Sequence, residues 1–412
     1  MHTPSCAVTC VASDVGEALL TLNAGSSSIK FAVFEAGSAM RTLVKGQVEG
    51  LQTAPHFIAK SGDGIQLTQA YWETNSGESG HATAFEHIWR WLVEYLEDVK
   101  VTAVGHRVAH GGADYRAPVL VNAQVMKDLT RLIPLVPLHQ PHNIAAIHAV
   151  ARARPELPQV VCFDTSFHQD KPEVANRLGL PAWLHDEGVR RYGFHGISYA
   201  YIAHRLKEID PNLAAGRVVV AHLGSGSSMC AMRDGRSVET TMGFSSLDGV
   251  PMGTRCGTLD PGVLLYLMRE HGMGLEDLER LLYKESGLLG ISGISNDMRD
   301  LLDNDTPAAC DAIDYFIYQV NQHLGKLVAT LGGLDALVFT AGVGENSAEI
   351  RERICRDAVW LGIQLDQKAN NTGEGRISTS QSTASVWVIP TDEERMIASY
   401  TREVLERDLA AA

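Results

Sequence analysis

Two widely separated segments share one design, and this repetition restricts the folds open to the chain. Residues 20–31 read LTLNAGSSSIKF, and residues 219–230 read VVAHLGSGSSMC. Each runs from an apolar, strand-like stretch through a turn of glycine and serine into a second strand-like stretch. Backbone N–H groups and hydroxyls in such turns are not covered by bulky side chains and can hold phosphate oxygens. The pair predicts a duplicated domain that binds one polyphosphate from both sides.

Each turn taken alone is also compatible with an ordinary hairpin. Asn23 and Lys30 flank the first turn and favour phosphate binding. Lysine supplies a point charge suited to phosphate, and asparagine supplies a hard oxygen donor.

A third glycine-rich segment, residues 337–347, reads LVFTAGVGENS and predicts a strand, a turn and a helix. We expect Asn346 to cap that helix together with Glu349, and the bare glycines to allow a nucleotide close to the backbone. Ser347 replaces the last glycine of the dinucleotide fingerprint G-x-G-x-x-G, but Asp366 has the spacing of its acidic residue. A dehydrogenase therefore remains an alternative, while the P-loop pattern is absent from the sequence.

Length and composition exclude several classes of protein. A chain of 412 residues is longer than a single hydrophobic core usually supports, so two domains are predicted. Its 45% hydrophobic residues are sufficient for two cores. The net charge of −14 argues against nucleic acid or an anionic membrane as partner. No apolar run approaches the ~18 residues of a spanning helix, and no Lys or Arg precedes Lys30, so no secretory signal is expected.

The cysteines predict a cytoplasmic protein with reduced thiols. There are seven, an odd and scattered set that does not suggest a disulfide framework. Cys6 and Cys10 could pair or bind a metal, but their isolated C-x-x-x-C spacing favours neither role.

The order of the elements is typical of sheets covered by helices. Strand-like runs lie near 18–34, 101–104, 158–163, 217–241, 336–339 and 386–389, separated by stretches with helical spacing.

Two helix starts can be placed from capping signals. Thr306 followed by Pro307 predicts an N-cap with proline at the first helical position, and the helix should end at Leu331 before two glycines. Thr391 is expected to open the last helix in a capping box with Glu394, which leaves Glu393 for another role.

Candidate catalytic residues lie at predicted strand ends and in glycine-bounded loops, where functional side chains concentrate. They are Arg107, Asp164, His195 and Arg255. The alternatives are that the arginines are surface residues and that Asp164 only bonds a turn.

The remaining histidines of these segments have structural alternatives. His106, His110 and His168 are interpreted as structural histidines. His139 and His142 have a metal-like spacing, but the proline between them argues against a helical ligand pair.

Together, these motifs resemble the acetate kinase family, part of the superfamily that shares its duplicated fold with sugar kinases, actin and the ATPase domain of heat-shock chaperones. The resemblance extends from Asn23 to the helix after Thr391. It implies an α/β fold of two ribonuclease-H-like, actin-like domains, with mixed sheets covered by helices and a cleft between them. The first would comprise 1–166 and 391–412, and the second, with the nucleotide-binding segments, 167–390. A homodimer is also implied.

The implied reaction is the Mg²⁺-dependent (or Mn²⁺-dependent), reversible transfer of the ATP γ-phosphoryl group to acetate, giving acetyl phosphate and ADP. By resemblance, Asn23 and Glu393 are magnesium positions, Arg107 binds the carboxylate, and Asp164, His195, Arg255 and His139 are active-site residues. The implied nucleotide contacts are Ser26, Ser28, Lys30, His222, Leu223, Gly224, Ser225, Gly226, Asp297, Met298, Arg299, Gly342, Val343, Gly344, Glu345 and Asn346.

The residue types suit this reaction on chemical grounds. A carboxylic acid with a pKa of roughly 4 to 5 is already ionised at neutral pH, so its attack needs no strong base. Bringing an anion to a polyanion requires fixed positive charge, and the planar guanidinium matches carboxylate and phosphoryl groups alike. We therefore expect Asp164 to orient the metal or an arginine rather than to act as a base.

The chain departs from the family pattern at three places. Ser225 replaces the usual asparagine, and Ala109 replaces a bulkier valine that lines the acyl pocket. The smaller Ala109 predicts that propionate is used well beside acetate, so a propionate kinase is an alternative. The residues before the first strand have no assigned role. A second alternative is a non-catalytic, ATP-driven switch, which explains neither Arg107 nor His195.

Overall fold

The computed structural model describes residues 16–72 and 80–411, and Cys6 and Cys10 lie outside them. The chain divides into two compact units. The first runs up to His106 and adds His142–Val160 and the chain from Ala398 on, and the second comprises Arg107–Pro141 and Val161–Ile397. The predicted domain borders after residues 166 and 390 stay predictions.

The strands are β1 Gly16–Ala24, β2 Ser28–Glu35, β3 Thr42–Glu49, β4 His56–Ser61, β5 Gln66–Tyr71, β6 Val99–Val108, β7 Val119–Leu120, β8 Gln159–Phe163, β9 Arg217–Leu223, β10 Ser227–Arg233, β11 Arg236–Thr240, β12 Ala336–Thr340, β13 Gly375–Arg376 and β14 Ser385–Val388. The α-helices are α1 Gly80–Tyr95, α2 Ala123–Arg131, α3 Gln140–Ala153, α4 Glu173–Asn176, α5 Ala182–Asp186, α6 Gly196–Ile209, α7 Pro211–Ala214, α8 Pro261–Glu270, α9 Leu275–Lys284, α10 Gly287–Ser292, α11 Met298–Leu302, α12 Pro307–Leu331, α13 Ala341–Asn346, α14 Ala348–Asp357, α15 Gln367–Thr372 and α16 Glu393–Ala411. No helix of these described segments is long and apolar enough to cross a membrane.

The two sheets repeat one topology. One contains the order β3-β2-β1-β6-β8 and the other the order β11-β10-β9-β12-β14. In both, the first hairpin is antiparallel, and the strand after a helical connection pairs in parallel with its first strand, β6 with β1 and β12 with β9. This confirms the predicted duplicated α/β fold with mixed sheets.

Both glycine-serine segments form the predicted hairpins. In the first, Asn23 lies opposite Lys30, and the Gly25 N–H donates to the Ser28 carbonyl at 2.8 Å. In the second, Leu223 lies opposite Ser227, and the Gly224 N–H donates to the Ser227 hydroxyl at 3.2 Å.

In the second unit, strand periodicity fixes which helix covers which face of the sheet. Val219 of β9 belongs to the buried cluster built around the long helix α12, whereas Val218 and Val220 belong to the cluster that contains Tyr199 and Ile202 of α6. Successive side chains point to opposite faces of a strand, so an uninterrupted apolar run is expected where both faces are covered. The core of the first unit lies between β1, β2 and α1.

The capping structure confirms one prediction and corrects two. Thr306 caps α12, accepting from the Ala309 N–H at 3.4 Å, and Gly332 ends that helix with φ +71°. The predicted capping box at Thr391 is wrong. Asp392 caps α16, with its carboxylate accepting from the Arg395 N–H at 3.0 Å. The Thr391 N–H instead donates to the carboxylate of Glu345 at 3.1 Å.

Asn346 does not cap the helix that follows it. The segment after β12 becomes helical at once, so Asn346 is the last residue of α13, and its side chain donates back to the Gly342 carbonyl at 2.8 Å. Ser347 caps α14 by accepting from the Ile350 N–H.

Candidate active site

Arg107 and Asp164 form a tight ion pair at adjoining strand ends. Arg107 is the penultimate residue of β6, and Asp164 directly follows β8. The Arg107 Nε lies 3.1 Å from each carboxylate oxygen of Asp164, and Nη2 lies 2.5 Å from Oδ2. Glu393 adds a second carboxylate 3.9 Å from the Arg107 Nε. Burial opposes the charge of this guanidinium, but the two carboxylates outweigh burial and raise the pKa of Arg107 above its usual value.

His195 is held in a strained backbone conformation by its neighbours. It precedes α6 with φ +58°, a left-handed conformation uncommon outside glycine. The following Gly196 N–H donates to the Asp164 carbonyl at 2.8 Å, and a Cβ on Gly196 would lie 2.2 Å from that oxygen. On the other side, Nε2 of His168 bonds the Phe194 carbonyl at 2.9 Å. The loop is therefore fixed on both sides of His195.

The His195 ring is half-buried and lies in a positively charged environment. It stacks on His222 with ring centroids 4.2 Å apart, and its Nδ1 lies 2.9 Å from the Ser228 hydroxyl. Burial lowers the pKa of His195 well below its usual value, and the charges of Arg107 and Arg255 lower it further. The imidazole is therefore neutral at physiological pH.

Arg255 and His195 each place a side-chain nitrogen beside Gly226. The Arg255 Nη1 donates to the Ser246 carbonyl at 3.0 Å. A Cβ on Gly226 would lie 3.4 Å from the His195 Nε2 and 3.7 Å from the Arg255 Nη2. Burial lowers the pKa of Arg255, and the nearby charge of Arg107 acts in the same direction. Two arginines and a neutral imidazole thus lie within electrostatic reach of one another in the second unit.

A cavity of about 520 Å³ lies beside the second hairpin. Eight of the predicted nucleotide contacts line it: Gly224, Ser225, Asp297, Met298, Arg299, Gly342, Val343 and Asn346. Its size falls in the range of roughly 300–1,000 Å³ typical of small-molecule sites. At its rim, the carboxylate of Asp297 holds the exposed Arg299 through bonds of 3.0 and 2.6 Å to Nε and Nη2.

The glycine-serine turn of the first unit, between β1 and β2, is held by side chains that bond its backbone carbonyls. His81 Nε2 contacts the Gly25 carbonyl at 2.8 Å, and the Asn143 side chain donates to the Ala24 carbonyl at 2.8 Å. Ser26 and Lys30 are exposed, and Ser28 is half-buried. The turn is therefore a fixed structure that presents hydroxyl and ammonium groups to solvent.

Known proteins match the chain over almost its whole length. The family model described as the Acetokinase family matches residues 18–399. The chain belongs to the acetokinase family.

Relatives of this acetokinase family member are similar over nearly their full length. An acetate kinase of Rhodopseudomonas palustris strain CGA009 is 51% identical over 392 residues, covering 94% of this chain and 98% of that protein. One from Methylocella silvestris is 49% identical over 400 residues, covering 95% and 99%.

Solved structures of acetate and propionate kinases are also similar to this chain over nearly its whole length. A propionate kinase from Francisella tularensis superposes with a TM-score of 0.87 at 37% identity, covering 93% of this chain and 98% of that one. The Porphyromonas gingivalis acetate kinase has a TM-score of 0.85 at 36% identity, covering 94% and 100%.

Several residues that the acetokinase resemblance connects with the nucleotide do not line the cavity. They are His222, Leu223, Gly226, Gly344 and Glu345. Leu223 is a core residue, and the Glu345 carboxylate accepts from the Ala341 N–H at 2.7 Å as well as from Thr391. A structural function of Glu345 is thereby explained, and the nucleotide contacts of these five residues stay predictions.

Sequence reasoning missed six residues that line the cavity: Gly253, Leu288, Asn296, Leu302, Phe316 and Ser347. Gly253 and Asn296 adjoin motifs already singled out, so adjacency could have indicated them. Leu302 and Phe316 look like ordinary apolar helix positions, and sequence offers no signal for them.

The structure also places His139, His142 and Ala109, which the sequence analysis singled out. His139 is half-buried and immediately precedes α3, whereas His142 lies within that helix, so the two are not a pair on one helix. Ala109 is buried with Val136, Phe194, Met242 and Met252 in an apolar cluster. Residues 16–72 and 80–411 contain no group of three or more His, Cys, Asp or Glu that could hold a metal.

Proposed function

We propose that this protein is a carboxylate kinase that transfers the ATP γ-phosphoryl group reversibly to acetate, giving acetyl phosphate and ADP. The observation that carries the proposal is the convergence of His195 Nε2 and Arg255 Nη2 on Gly226, with Arg107 within electrostatic reach. Fixed donors of this kind are what a phosphoryl transfer between two anions needs. The acetate kinases among its relatives support the same reaction.

Arg107 is the group that binds the substrate carboxylate. Its two-pronged bond to Asp164 fixes the guanidinium plane, and the raised pKa keeps it charged. A preorganised guanidinium loses less conformational freedom on binding than a flexible ammonium. Asp164 therefore acts by positioning Arg107, since the attacking carboxylate carries no proton for a base to remove.

His195 and Arg255 stabilise the transferring phosphoryl group. Negative charge spreads over its equatorial oxygens in the transition state, and preorganised donors in a water-poor site stabilise such charge strongly. A neutral imidazole contributes an N–H donor without requiring a proton to be taken up at each turnover.

Asn23 and Glu393 are the proposed magnesium ligands. Amide and carboxylate oxygens are donors that Mg²⁺ accepts, and this ion usually takes one or two protein oxygens together with water and substrate phosphates. The Glu393 side chain is only 16% exposed and lies beside Arg107, which keeps a carboxylate near the reacting groups. The bound ion would neutralise phosphate charge, and Mn²⁺ has the same oxygen preference.

The cavity of about 520 Å³ is the proposed site of the nucleoside portion of ATP. Met298, Leu302 and Phe316 supply apolar surface for a base, and Asp297 and Asn346 supply polar groups. Ser225 keeps a hydroxyl at the position where the family has asparagine. Ser26, Ser28 and Lys30 of the first turn remain proposed phosphate contacts.

The proposal is tested by trapping the acyl phosphate as a hydroxamate. Purified protein is incubated with ATP, Mg²⁺, hydroxylamine and a series of short carboxylic acids. A carboxylate kinase yields hydroxamate that depends on acid and on ATP. A dehydrogenase would bind NAD(H) and give no hydroxamate, and an ATP-driven switch would release phosphate regardless of the acid; either result refutes the proposal.

We further propose that propionate is used well beside acetate. Ala109 lies two residues after Arg107 in an apolar cluster with Phe194, Met242 and Met252, and we take this cluster as the acyl pocket. One methylene in an apolar pocket is worth about 1–3 kcal/mol, or roughly 10- to 200-fold in discrimination. Ala109→Val should lower kcat/KM for propionate by that order and leave acetate nearly unchanged.

The measurement is kcat/KM for both acids in the wild type and the variant. A wild-type value for propionate below a hundredth of that for acetate would mean that another residue closes the pocket. Ala214→Val, at a buried alanine of the α7 region, is the matched control and should leave the ratio of the two values unchanged.

A cytoplasmic homodimer is the proposed working form. Helix α8 exposes Leu265, Tyr266 and Met268 by 58%, 55% and 52%, and Leu275 at the start of α9 is 81% exposed. Exposed apolar side chains concentrated on two consecutive helices favour an interface there. Sedimentation should show a dimer that Leu265→Glu weakens, and a monomer at micromolar concentration would refute this. The cytoplasmic placement rests on the odd, scattered set of cysteines.

A further inference from the structure

A chain of two hydrogen bonds connects the Tyr199 hydroxyl, through the Ser228 hydroxyl, to the Nδ1 atom of His195. The Tyr199 hydroxyl contacts the Ser228 hydroxyl, which in turn lies 2.9 Å from the His195 Nδ1. Tyr199 and Ser228 are both completely buried. The chain lies on the opposite side of the ring from Nε2, the atom that faces Gly226 and Arg255.

The directions of these bonds follow from counting donors and acceptors. Within the described residues, Ser228 is the only hydrogen-bond partner of the Tyr199 hydroxyl, so the tyrosine proton must be donated to Ser228. Leaving a buried hydroxyl without an acceptor would cost roughly 1–3 kcal/mol. The serine has one proton of its own, and the His195 Nδ1 is the acceptor that remains within reach for it.

We infer that Tyr199, acting through Ser228, is a positioning residue that fixes His195 as the tautomer with its proton on Nε2. A neutral imidazole carries one proton, so a ring whose Nδ1 accepts must donate from Nε2. That N–H then points to the space beside Gly226 and the Arg255 Nη2. The other tautomer would present a lone pair to an anionic phosphoryl group. This inference rests on the proposed function only for its catalytic consequence.

The surroundings of His195 support a single ring orientation. The backbone is fixed on both sides by His168 and the Asp164 carbonyl, and the ring stacks on His222. His168 is itself held by the Ser237 hydroxyl at 2.8 Å. With the backbone and the ring plane held in this way, the hydrogen bond at Nδ1 decides which ring nitrogen carries the proton.

The direct test is the proton position itself. In protein labelled with ¹⁵N-histidine, the His195 signals are assigned by their loss in His195→Ala. We expect Nδ1 to be unprotonated and Nε2 protonated at neutral pH in the wild type. A proton on Nδ1, or a fully protonated ring, overturns the inference. This readout does not depend on turnover, so it stands even if no acid gives hydroxamate, a result that refutes only the proposed function.

Tyr199→Phe removes the first donor with almost no change of shape. We expect a mixture of tautomers, a fall in kcat on the order of tenfold, as for partners that orient a functional histidine, and nearly unchanged KM for acetate and ATP. Tyr192→Phe is the matched control, because Tyr192 is a buried tyrosine of the loop before His195 but donates to the Gly188 carbonyl at 2.7 Å. The control should leave the tautomer and kcat unchanged.

A cycle of double variants separates positioning from general loosening of the fold. If Tyr199 acts through Ser228, adding Tyr199→Phe to Ser228→Ala should cause no further loss of kcat. In a His195→Ala background, Tyr199→Phe should have no effect on kcat. Losses that multiply, or an equal loss without His195, would show that Tyr199 serves only packing, and urea unfolding of each variant identifies any that lose their fold.

Discussion

At the scale of single residues, the arrangement of like charges explains why the site favours anions. Arg255 is mostly buried, and its pKa is lowered by burial and by Arg107, so a negative ligand that approaches it relieves an existing electrostatic cost. The carboxylates of Asp164 and Glu393 pair with Arg107. We therefore expect Arg255 to contribute most when phosphoryl charge develops beside it.

Arg255→Ala should reduce turnover by on the order of 10³ to 10⁵ while the affinity for ATP barely changes. Arginines that stabilise charge in phosphoryl transfer have effects of that size, equivalent to roughly 4–7 kcal/mol of barrier. The measurement is kcat beside the Kd of ATP. A variant that keeps more than about a tenth of its turnover would remove Arg255 from the mechanism. Arg280→Ala, at an exposed arginine of α9, is the control.

Gly226→Ala should preserve the fold and reduce activity. The added methyl would lie 3.4 Å from the His195 Nε2 and 3.7 Å from the Arg255 Nη2, which are ordinary contact distances. It would occupy the space where the two donors meet and displace the phosphoryl group. A displacement of about 1 Å can cost on the order of 100-fold in rate.

The glycine experiment compares kcat and the free energy of unfolding with those of Gly179→Ala, where a Cβ meets nothing within 4 Å. Unchanged turnover in Gly226→Ala would show that phosphoryl transfer occurs elsewhere.

At the scale of elements, the hairpins and α12 were predictable because local chemistry decides them. Glycine and serine between apolar runs specify a turn, and Thr306 with Pro307 specifies a helix start. The capping of α14 and α16 was predicted wrongly because several neighbouring side chains could cap. Ser347 and Asp392 are the caps because each lies at the residue where its helix begins. The first residue of a helix depends in turn on tertiary contacts, such as the bond from the Thr391 N–H to the Glu345 carboxylate.

Thr306→Ala should lower the free energy of unfolding by about 1 kcal/mol, because the Ala309 N–H loses its acceptor. Thr330→Ala on the same helix is the matched control. Its exposed hydroxyl only bonds back to the Lys326 carbonyl, and alanine is the better helix former, so little change or a small gain is expected. Urea unfolding measures both, and equal losses would contradict the capping assignment.

At the scale of the whole molecule, buried neutral histidines make stability depend on pH. Burial lowers the pKa of His106 and His110 to about 4 and that of His168 and His222 to about 3. In the unfolded chain a histidine has a pKa near 6.5, so below that pH the unfolded state binds protons that the folded state does not. Acidification therefore favours unfolding.

The contribution of these histidines to the free energy of unfolding should be constant above about pH 7 and fall between about pH 6 and pH 4, by up to about 1.4 kcal/mol per pH unit for each buried histidine. Urea unfolding at a series of pH values measures the slope. His106→Gln should reduce it, whereas Thr330→Ala, at an exposed side chain without an ionisable group, should not. A slope of opposite sign would mean that these histidines are charged in the folded protein.

The sequence by itself determined the duplicated hairpins, the α/β class and the identity of the charged residues at strand ends, because turns, periodicity and residue chemistry are local properties. Tertiary structure alone decided that Asp164 pairs with Arg107, and that the Glu345 carboxylate accepts from the Thr391 N–H. It also decided that hydrogen bonds connect Tyr199 through Ser228 to His195. Each of these contacts joins residues from different elements. The free energy that selects such a partner comes from packing and burial of the assembled core, which no stretch of neighbouring residues encodes.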